Sequence, residues 1–545
     1  AQHQLVYCSG AFIEAALREC GFPVLHMGRS FVKDPAFYHA AGAAARFLDE
    51  SAAAYSARRD GRVGLDTKVV VKDAITLDFT SSPDFSQVES DEPQVTINQR
   101  YEVFFPEKRP FFIENATMFV TPETLFFSRR IVDPQFGGRV TGKVGRWAVA
   151  GVASDDRAPG QRLGGLQRES GQRAFVGVGR LTREFAAQSH AGAMVTTRQL
   201  GPASNTVVSL DTRIPFTKNW MVTGQAALSQ TRDGTGSTPG TGHLLYGVLG
   251  YTSRTVVFRA YYNERSPRFE SDVGFIPRVD MRRLRNYSSY TWFTKRGRLQ
   301  SFGPGMDTYV IWNFKGQVQD WVVNPEFTVS FPASTTVYVA ASRAYERYTG
   351  IDFYKTHAFA SAQTEWLRWL GGSVSYRVGE DINYYPAAGL APFKGDSAEM
   401  SLGLTLRPSS RLQIAETYIY NRLRTNGAET PPGLPHSAEI FGLHLWRTKA
   451  SLQFTRALSL RAIVDYNAVL PNSALVALSR DKRLTGDILA TYLANPGTAI
   501  YVGYNDQYAN VRLDPRLSPV LQTIASPRTS VGRQIFVKVS YLLRY

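Results

Sequence analysis

The feature that most constrains the fold of this chain is the two-residue alternation of its last eleven residues. One face of that segment carries only apolar or aromatic side chains: Ile535, Val537, Val539, Tyr541, Leu543 and Tyr545. The other face carries Phe536, Lys538, Ser540, Leu542 and Arg544. Because successive side chains of a β-strand point to opposite faces, this alternation predicts a strand with one face in water. Tyr545 also resembles the terminal aromatic residue by which outer-membrane barrels are recognised for assembly.

Alternation of the same kind recurs along the chain, for example over residues 256–263, 400–407 and 458–467. The longer runs reach the ~9–11 residues that a tilted membrane-spanning strand requires, whereas strands of soluble proteins average only ~5–6. The sequence therefore predicts an all-β fold, a transmembrane antiparallel β-barrel in a bacterial outer membrane. One strand for every ~24 residues after residue 61 gives roughly 20 strands, and an even number is expected.

Composition agrees with a barrel but does not by itself distinguish one from a soluble protein. The hydrophobic fraction is 43% and the mean hydropathy is −0.22, as expected for strands that turn only every second residue to lipid. The net charge of +16 comes largely from arginines that recur singly, such as Arg259, Arg407 and Arg461. A nucleic-acid-binding protein would cluster its charge, so we expect no nucleic acid partner. The expected partners are outer-membrane lipid, lipopolysaccharide and the barrel assembly machinery.

The segments between the predicted strands fall into two length classes. Short turns are predicted at residues 145–146, 371–372 and 495–497, and long segments at residues 424–438 and 506–530. Outer-membrane barrels have short periplasmic turns and longer extracellular loops. We therefore expect the long segments to lie on the cell surface.

The first 60 residues do not follow the alternating pattern and are predicted to form a separate N-terminal segment, with the barrel at residues 61–545. Residues 43–55 are rich in alanine and favour a helix by intrinsic propensity. The segment is interpreted as a short, partly helical cap, a plug element or a poorly ordered extension. Both cysteines, Cys8 and Cys20, lie in it. No secretion signal is visible at the start, and we expect it to have been removed.

Residues 83–130 interrupt the barrel pattern with charged residues placed between prolines and aromatic residues. The segment is too long for a turn and too aromatic for a solvated loop, so we predict an irregular insert in the barrel lumen. Charges buried there must be paired, which predicts that the acidic residues of 84–92 lie close to the basic residues of 108–130. The predicted binding residues are Asp84, Glu89, Asp91, Glu92, Glu107, Lys108, Arg109, Glu114, Arg129 and Arg130.

Three motifs of the insert resemble a bacterial family of unknown function. They are residues 83–92, the Phe-Phe-Pro-Glu-Lys-Arg-Pro-Phe-Phe run at 104–112 and the Phe-Phe-Ser-Arg-Arg run at 126–130. Residues 272–275 with Arg278, and the last six residues of the chain, are also similar, so that the resemblance covers roughly residues 62–545. The resemblance implies an outer-membrane barrel, often preceded by a family 9-like carbohydrate-binding module. No sugar-binding sandwich is evident in residues 1–60, so glycan binding by such a module is not implied for this chain.

The sequence supplies no catalytic motif, and no catalytic residue, metal ligand set or cofactor is predicted. The chain contains no His-Glu-x-x-His, Cys-x-x-Cys or Gly-x-Ser-x-Gly pattern, which are signatures of zinc and nucleophile sites. The acidic residues of 84–92 have the oxygen ligands that calcium prefers, or could act as a carboxylate pair in glycoside cleavage. The simpler interpretation is that they neutralise nearby arginines.

These observations lead to one main functional hypothesis and two alternatives. The main hypothesis is a channel or gated pore, whose lumenal insert sets the pore size and whose charges set its selectivity. The first alternative is an outer-membrane enzyme or glycan-binding component of polysaccharide breakdown, so enzymatic activity stays open. The second alternative is a scaffold for a secretion or surface complex. The ligand is accordingly expected to be a glycan or another small solute.

Overall fold

A computed structural model describes residues 36–49, 54–157, 172–235, 239–295, 297–427, 430–514, 516 and 521–543. Its first strands are β1 Ala36–Asp49, β2 Ala54–Val71, β3 Ile75–Ser81, β4 Pro134–Val144, β5 Trp147–Asp156, β6 Ala174–Ala186, β7 Ser189–Leu200, β8 Ala203–Pro215 and β9 Trp220–Arg232. The next are β10 Gly240–Thr252, β11 Val256–Arg265, β12 Met281–Tyr290, β13 Trp292–Phe293, β14 Ser301–Trp312, β15 Val318–Phe331, β16 Thr335–Tyr348, β17 Ile351–Leu367 and β18 Leu370–Asn383. The last are β19 Phe393–Ser409, β20 Leu412–Thr425, β21 Glu439–Gln453, β22 Leu458–Pro471, β23 Asp481–Asn495, β24 Thr498–Ala509, β25 Val511–Leu513, β26 Leu521–Thr523 and β27 Thr529–Leu543.

The main sheet closes on itself, because β1 pairs with β2 on one side and with β27 on the other. All its neighbouring strands are antiparallel, and the sheet has 25 strand segments within the described residues. Both β12 and β13 pair with β14, so together they occupy one strand position of the barrel. Counting each such position as one stave, the barrel has 24 staves. The predicted transmembrane antiparallel barrel is confirmed, and its even strand number agrees with expectation. The predicted count of roughly 20 was too low because connections such as 145–146 and 187–188 take only two residues.

The beginning of the barrel differs from the sequence-based expectation. Residues 43–49, predicted to be helical, lie in strand β1, and residues 54–60 lie in β2, so the barrel begins before the predicted boundary at residue 61. The physical reason is closure: β1 supplies main-chain partners to both β2 and β27. Hydrogen bonding on both sides outweighs the intrinsic helix propensity of the alanines. The earlier part of the N-terminal segment, with Cys8 and Cys20, lies outside the described residues, as does Tyr545.

The outer surface of the barrel is apolar. Large aliphatic side chains are exposed on alternate positions of neighbouring strands, as at Val208, Leu210 and Leu228, which are 54–67% exposed. Aromatic residues gather near the short turns, where Trp220 contacts Phe216, Tyr251 and Phe258, and where Trp292 stacks on Phe302. An apolar band flanked by aromatic residues is the surface that a barrel presents to lipid.

The two ends of the barrel differ in the length of their connections. One end has turns such as 145–146, 410–411 and 496–497, and the other has long connections such as 82–133, 266–280 and 472–480. The turn predicted at residues 371–372 is wrong, because both glycines lie within β18 and the turn is at residues 368–369. The long segments at 424–438 and 506–530 join strands at the long-loop end, although parts of both lie outside the described residues.

The long connection 82–133 turns inward and crosses the lumen. It contains one short helix, α1 Pro110–Ile113, and two 3-10 turns at Ala116–Phe119 and Ser128–Arg130. Its side chains and carbonyls contact staves on all sides of the barrel, among them β4 at Arg139, β11 at Arg265, β16 at Glu346 and β27 at Lys538. The predicted lumenal insert is therefore present, and it enters from the long-loop end.

Among the described residues no helix is long and apolar enough to cross a membrane. The closed sheet satisfies the main-chain hydrogen bonds of the strands within the barrel, which is the condition for spanning hydrocarbon. Its outer band is apolar and its interior holds paired charges. The protein is a bacterial outer-membrane β-barrel.

Closure through β1 can be tested by disulfide cross-linking. Ala44 of β1 lies directly opposite Ile535 of β27, a distance at which two cysteines can be bridged. In a background without Cys8 and Cys20, we expect the A44C/I535C double variant to form an intramolecular disulfide in the folded, membrane-inserted protein. The measurement is gel mobility of the heat-denatured protein with and without reductant. The control A44C/V539C, offset by four residues or roughly 13 Å, should not cross-link, and a failure of both pairs would contradict closure by β1.

The orientation of the barrel can be tested with inserted epitopes. An epitope at Gly433, an exposed glycine with φ of 86° in the connection between β20 and β21, should be detected by antibody on intact cells. An epitope at Ser410, in the turn between β19 and β20, should be detected only after the outer membrane is permeabilised. The opposite pattern would place the long connections in the periplasm.

Candidate functional site

An apolar core attaches one side of the insert to the barrel wall. Phe112, Phe119, Leu125 and Ile131 of the insert are buried against small and aliphatic side chains on the lumenal faces of β5–β10. The wall residues of this core are Ala150, Val152, Val176, Val178, Met194, Val207, Ala227 and Leu244. The aliphatic lining of the lumen here excludes water, so this side of the insert is held by burial of apolar surface, as in the core of a soluble protein.

The opposite side of the insert is attached by ion pairs. Lys538 of β27 is 3.3 Å from a carboxylate oxygen of Asp84 and donates a 2.6 Å hydrogen bond to the carbonyl of the same residue. Lys449 of β21 donates to both carboxylate oxygens of Glu89 at 2.7 and 2.8 Å, and Arg461 of β22 lies 3.8 Å from Glu89. Two of the predicted acidic residues thus pair with the barrel wall rather than with the basic residues of the insert.

Asp91 and Glu92 are the acidic residues that meet the predicted basic partners. Arg129 makes a bidentate pair with Asp91, one bond of which is 2.8 Å long. Lys108 is 4.0 Å from Glu92 and donates a 2.6 Å hydrogen bond to the carbonyl of Ser90. The wall also contributes here, since Arg447 of β21 lies 3.3 Å from Glu92.

The predicted pairing is wrong for the other two arginines. Arg109 binds Glu107, two residues before it, at 2.7 and 2.9 Å. Arg130 makes a bidentate pair with Glu102 at 2.6 and 3.0 Å. Glu107 is only two positions from Arg109, so chain proximity favours that pair, whereas Glu102 and Arg130 are 28 positions apart.

Glu114 is held at the start of the lumenal wall by two basic residues. It forms an ion pair with Lys68 of β2 and lies 3.4 Å from Arg139 of β4. Arg139 is itself buried and binds Asp78 of β3 at 2.7 Å. The insert is therefore tied to the first staves of the barrel as well as to the last ones.

Several residues that fix the insert were not recognised in the sequence. Arg100 bonds Glu346 of β16 at 2.8 Å and lies 3.3 Å from Asp320 of β15. Glu123 is buried and accepts hydrogen bonds from Arg265 and Asn263 of β11. Neither residue belongs to a recognisable sequence motif, and only the distant partner strands show its role.

A second connection joins the insert inside the lumen. In the connection between β11 and β12, the carbonyl of Val273 accepts a 2.7 Å hydrogen bond from the Phe127 amide, and the Phe275 amide donates to the Thr124 carbonyl at 2.9 Å. Arg130 donates to the carbonyl of Gly274 at 3.1 Å. A side chain at Gly274 would meet that Thr124 carbonyl at 2.7 Å, so glycine permits the close approach. The motif at residues 272–275 therefore contacts the motif at 126–130.

The charges of the insert are stabilised in their ionised forms. Burial raises the pKa of Glu107, but hydrogen bonds from Arg109 and Ser128 outweigh burial and lower the pKa to about 2. Burial also raises the pKa of Glu89, but the hydrogen bond and charge of Lys449, with the charges of Lys108 and Arg461, outweigh burial and hold the pKa below its usual range. Both carboxylates are therefore acceptors of hydrogen bonds at neutral pH rather than proton donors.

A cavity of about 360 Å³ remains in the lumen against the faces of β14–β18. Arg100 of the insert borders it, because two of the lining residues are its partners Asp320 and Glu346. Glu346 also binds Lys355 at 2.7 Å, so these lining charges are compensated. The lining also has polar and aromatic groups, Tyr309, Asn324, Tyr338, Ser342, Tyr345, His357 and Phe359, together with Arg377 and the aliphatic side chains of Val322, Ala340 and Ala344.

The acidic residues do not assemble a metal site within the part of the chain that the structure describes, since no group of three or more His, Cys, Asp or Glu side chains is placed to hold an ion. Asp84, Glu89 and Asp91 each face a different basic partner. The arrangement suits the binding of the insert to the wall, and each carboxylate is committed to that contact.

Comparisons with known proteins agree with this description over part of the chain. A family described as a domain of unknown function, DUF5916, matches residues 45–141, which contain the insert and the strands around it. The match supports the resemblance to a barrel family of unknown function; a carbohydrate-binding module is not part of it. No curated protein matches the chain in sequence.

Solved structures with similar chain courses are transporters and receptors of low sequence identity. The FrpB iron transporter from Neisseria meningitidis (F3-3 variant) is 12% identical with a TM-score of 0.46, over 75% of this chain and 79% of that chain. The siderophore receptor PirA from Pseudomonas aeruginosa is 8% identical with a TM-score of 0.46, over 95% and 82%. The copper transporter OprC is 10% identical with a TM-score of 0.47, over 95% and 82%. At these values the likenesses carry no conclusion on what this chain does.

Protonation of Glu107 should loosen the insert. Its folded-state pKa of about 2 lies below the ordinary value of 4.5, so its contribution to stability is present above pH 4.5 and is lost as the pH falls towards 2. At neutral pH the contribution is about 3 kcal/mol. We expect E107Q to lose hydrogen-exchange protection in residues 104–131 at pH 7 and to converge with the wild type near pH 2. E92Q, which removes a carboxylate that is 54% exposed, is the control, and equal effects of both variants would contradict this account.

Proposed function

We propose that the protein is a gated pore for a small solute, in which the charged half of the insert, residues 84–92, is the movable part. The observation that carries the proposal is the unequal attachment of the insert. Its aromatic half is held by an apolar core against β5–β10, while residues 84–92 are held by ion pairs with Lys449, Arg461 and Lys538. Ion pairs in a wet lumen exchange with water and ions more readily than a dry core opens.

The cavity beside β14–β18 supports the same proposal. It lies in the same lumen as the insert, and charged, polar and aromatic groups outnumber the three aliphatic side chains of its lining. A lumen lined in this way suits a hydrated solute, because passage requires contacts that bind without retaining.

The proposal is tested by reversing the charges that hold the insert together. R129E/R130E places carboxylates against Asp91 and Glu102, the partners of these arginines. We expect it to raise the conductance of the barrel in planar bilayers and to shift its selectivity towards cations, because the insert loosens and the lumen gains negative charge.

The matched control exchanges the partners of one pair. D91R/R129D keeps the ion pair and the net charge, and we expect its conductance to be close to that of the wild type. If R129E/R130E has wild-type conductance while its insert gains hydrogen exchange, the insert is not a gate. If neither the wild type nor R129E/R130E conducts, the protein is not a pore.

A second candidate function, recognition of a glycan in the lumen, is favoured by one observation. Tyr338 and Phe359 lie in the cavity as an edge-to-face pair 5.7 Å apart, and Asn324 and Ser342 add hydrogen-bonding groups beside them. Aromatic faces with adjacent polar groups suit a sugar ring, which has an apolar face and a rim of hydroxyl groups. Binding of oligosaccharides by a protein that does not conduct would favour this function over the pore.

A further inference from the structure

Among the described residues, the outer face of the barrel carries a carboxylate that forms no ion pair. Glu416 of β20 forms no ion pair with any described residue, and its Oε2 accepts hydrogen bonds from the Trp446 indole at 2.9 Å and the Thr448 hydroxyl at 2.7 Å. The strand register places it opposite Leu404 on one side and Thr448 on the other. A carboxylate on the lipid face of a barrel is unfavourable, and ionisable residues in such places indicate a function.

The register confirms that Glu416 faces outward. The next row across the sheet is Val374, Leu402, Tyr418 and Trp446, of which Val374, Leu402 and Trp446 are 39–52% exposed. Arg447, the residue between Trp446 and Thr448, points the other way and contacts Ser90 of the insert. Glu416 is therefore on the face that meets lipid.

Glu416 borders an apolar groove of about 800 Å³ on this outer face. The groove is lined by Trp366, Val374, Leu402, Leu404 and Trp446, with Gly372 at its floor. A side chain at Gly372 would meet nothing closer than the Gly403 carbonyl at 3.9 Å. Glycine at this position therefore leaves space in the groove, and the apolar lining suits an acyl chain.

The groove and the carboxylate together define the chemistry of an occupant. Glu416 is four residues from the start of β20, at the short-turn end, where the head groups of the periplasmic leaflet lie if the short turns are periplasmic. An unpaired carboxylate attracts a cation, and an ammonium group with hydrogens also donates hydrogen bonds to it. A phospholipid with a primary ammonium head group supplies both the cation and the acyl chain.

We propose that this groove is a binding site for phosphatidylethanolamine, with the lipid ammonium on Glu416 and an acyl chain against Leu402 and Leu404. The indole of Trp446 and the hydroxyl of Thr448 hold the carboxylate in place and leave Oε1 for the lipid. A phosphatidylglycerol head group is anionic without a cation and is repelled. A second copy of this chain related by a twofold axis would bring two Glu416 carboxylates together, which disfavours self-association through this groove.

The test is native mass spectrometry of the detergent-purified barrel with phosphatidylethanolamine, phosphatidylglycerol and phosphatidylcholine that carry identical acyl chains. We expect the wild type to retain one phosphatidylethanolamine about tenfold more tightly than phosphatidylglycerol, which corresponds to one charge-assisted hydrogen bond. E416Q should remove the preference. Gly372→Leu, which fills the groove and leaves the carboxylate, should weaken retention of phosphatidylethanolamine.

The control variant is E264Q. Glu264 is also on the outer face, but Arg282 and His243 pair with it at 2.9 and 2.8 Å, so its replacement should leave lipid preference unchanged. Equal retention of phosphatidylethanolamine and phosphatidylglycerol by the wild type, or a preference that survives E416Q, would overturn the proposal. If E416Q does not fold, Gly372→Leu decides alone, and unchanged lipid retention in that variant refutes the site. A dimer that Gly372→Leu dissociates would assign the groove to a second copy instead.

Discussion

Every main-chain amide and carbonyl of a chain in hydrocarbon must find a partner within the protein, because lipid offers none. The pairing of β1 with β27 meets this requirement, and the rest of the structure depends on it. With the seam closed, side chains alternate between lipid and lumen around the whole ring. The outer face can then be apolar while the inner face holds lysine, arginine and carboxylate groups. Closure also determines the secondary structure of residues 43–49, whose alanines favour a helix in isolation but lie in a strand here.

Inside the closed wall, the insert is held by two kinds of contact that respond to different conditions. The aromatic side resembles a protein core and is insensitive to salt, because it depends on water exclusion. The charged side depends on ion pairs such as Glu89 with Lys449 and Asp84 with Lys538, which are screened by salt only to the extent that water reaches them. One segment therefore combines a fixed half with a half whose attachment can be changed, which is what a gate inside a pore requires.

The fold was predictable because alternation along β27 or β22 is set by local chemistry that each strand carries by itself. The presence and lumenal position of the insert were also predictable, since its aromatic and charged residues fit no other environment. The partners of the charged residues of the insert were only partly predictable. The pair between Asp91 and Arg129 follows from charge alone, but Glu123 and Arg100 are single charges whose partners lie on barrel strands. The glycine pair at 371–372 was misread as a turn because glycine in a strand and glycine in a turn look alike in sequence.

The contacts of the insert also impose an order on folding. The acidic motif is joined to residues very far along the chain: Glu89 and Lys449 are separated by 360 positions, and Asp84 and Lys538 by 454. Such contacts have a large loop-closure entropy and cannot form until the last strands are in place. The aromatic half, whose wall strands β5–β10 follow it directly, can dock much earlier. The two halves of the insert therefore bind the barrel wall at different stages of folding. The hydrophobic half packs when the early strands have formed, and the charged half forms its ion pairs when the last strands close the ring.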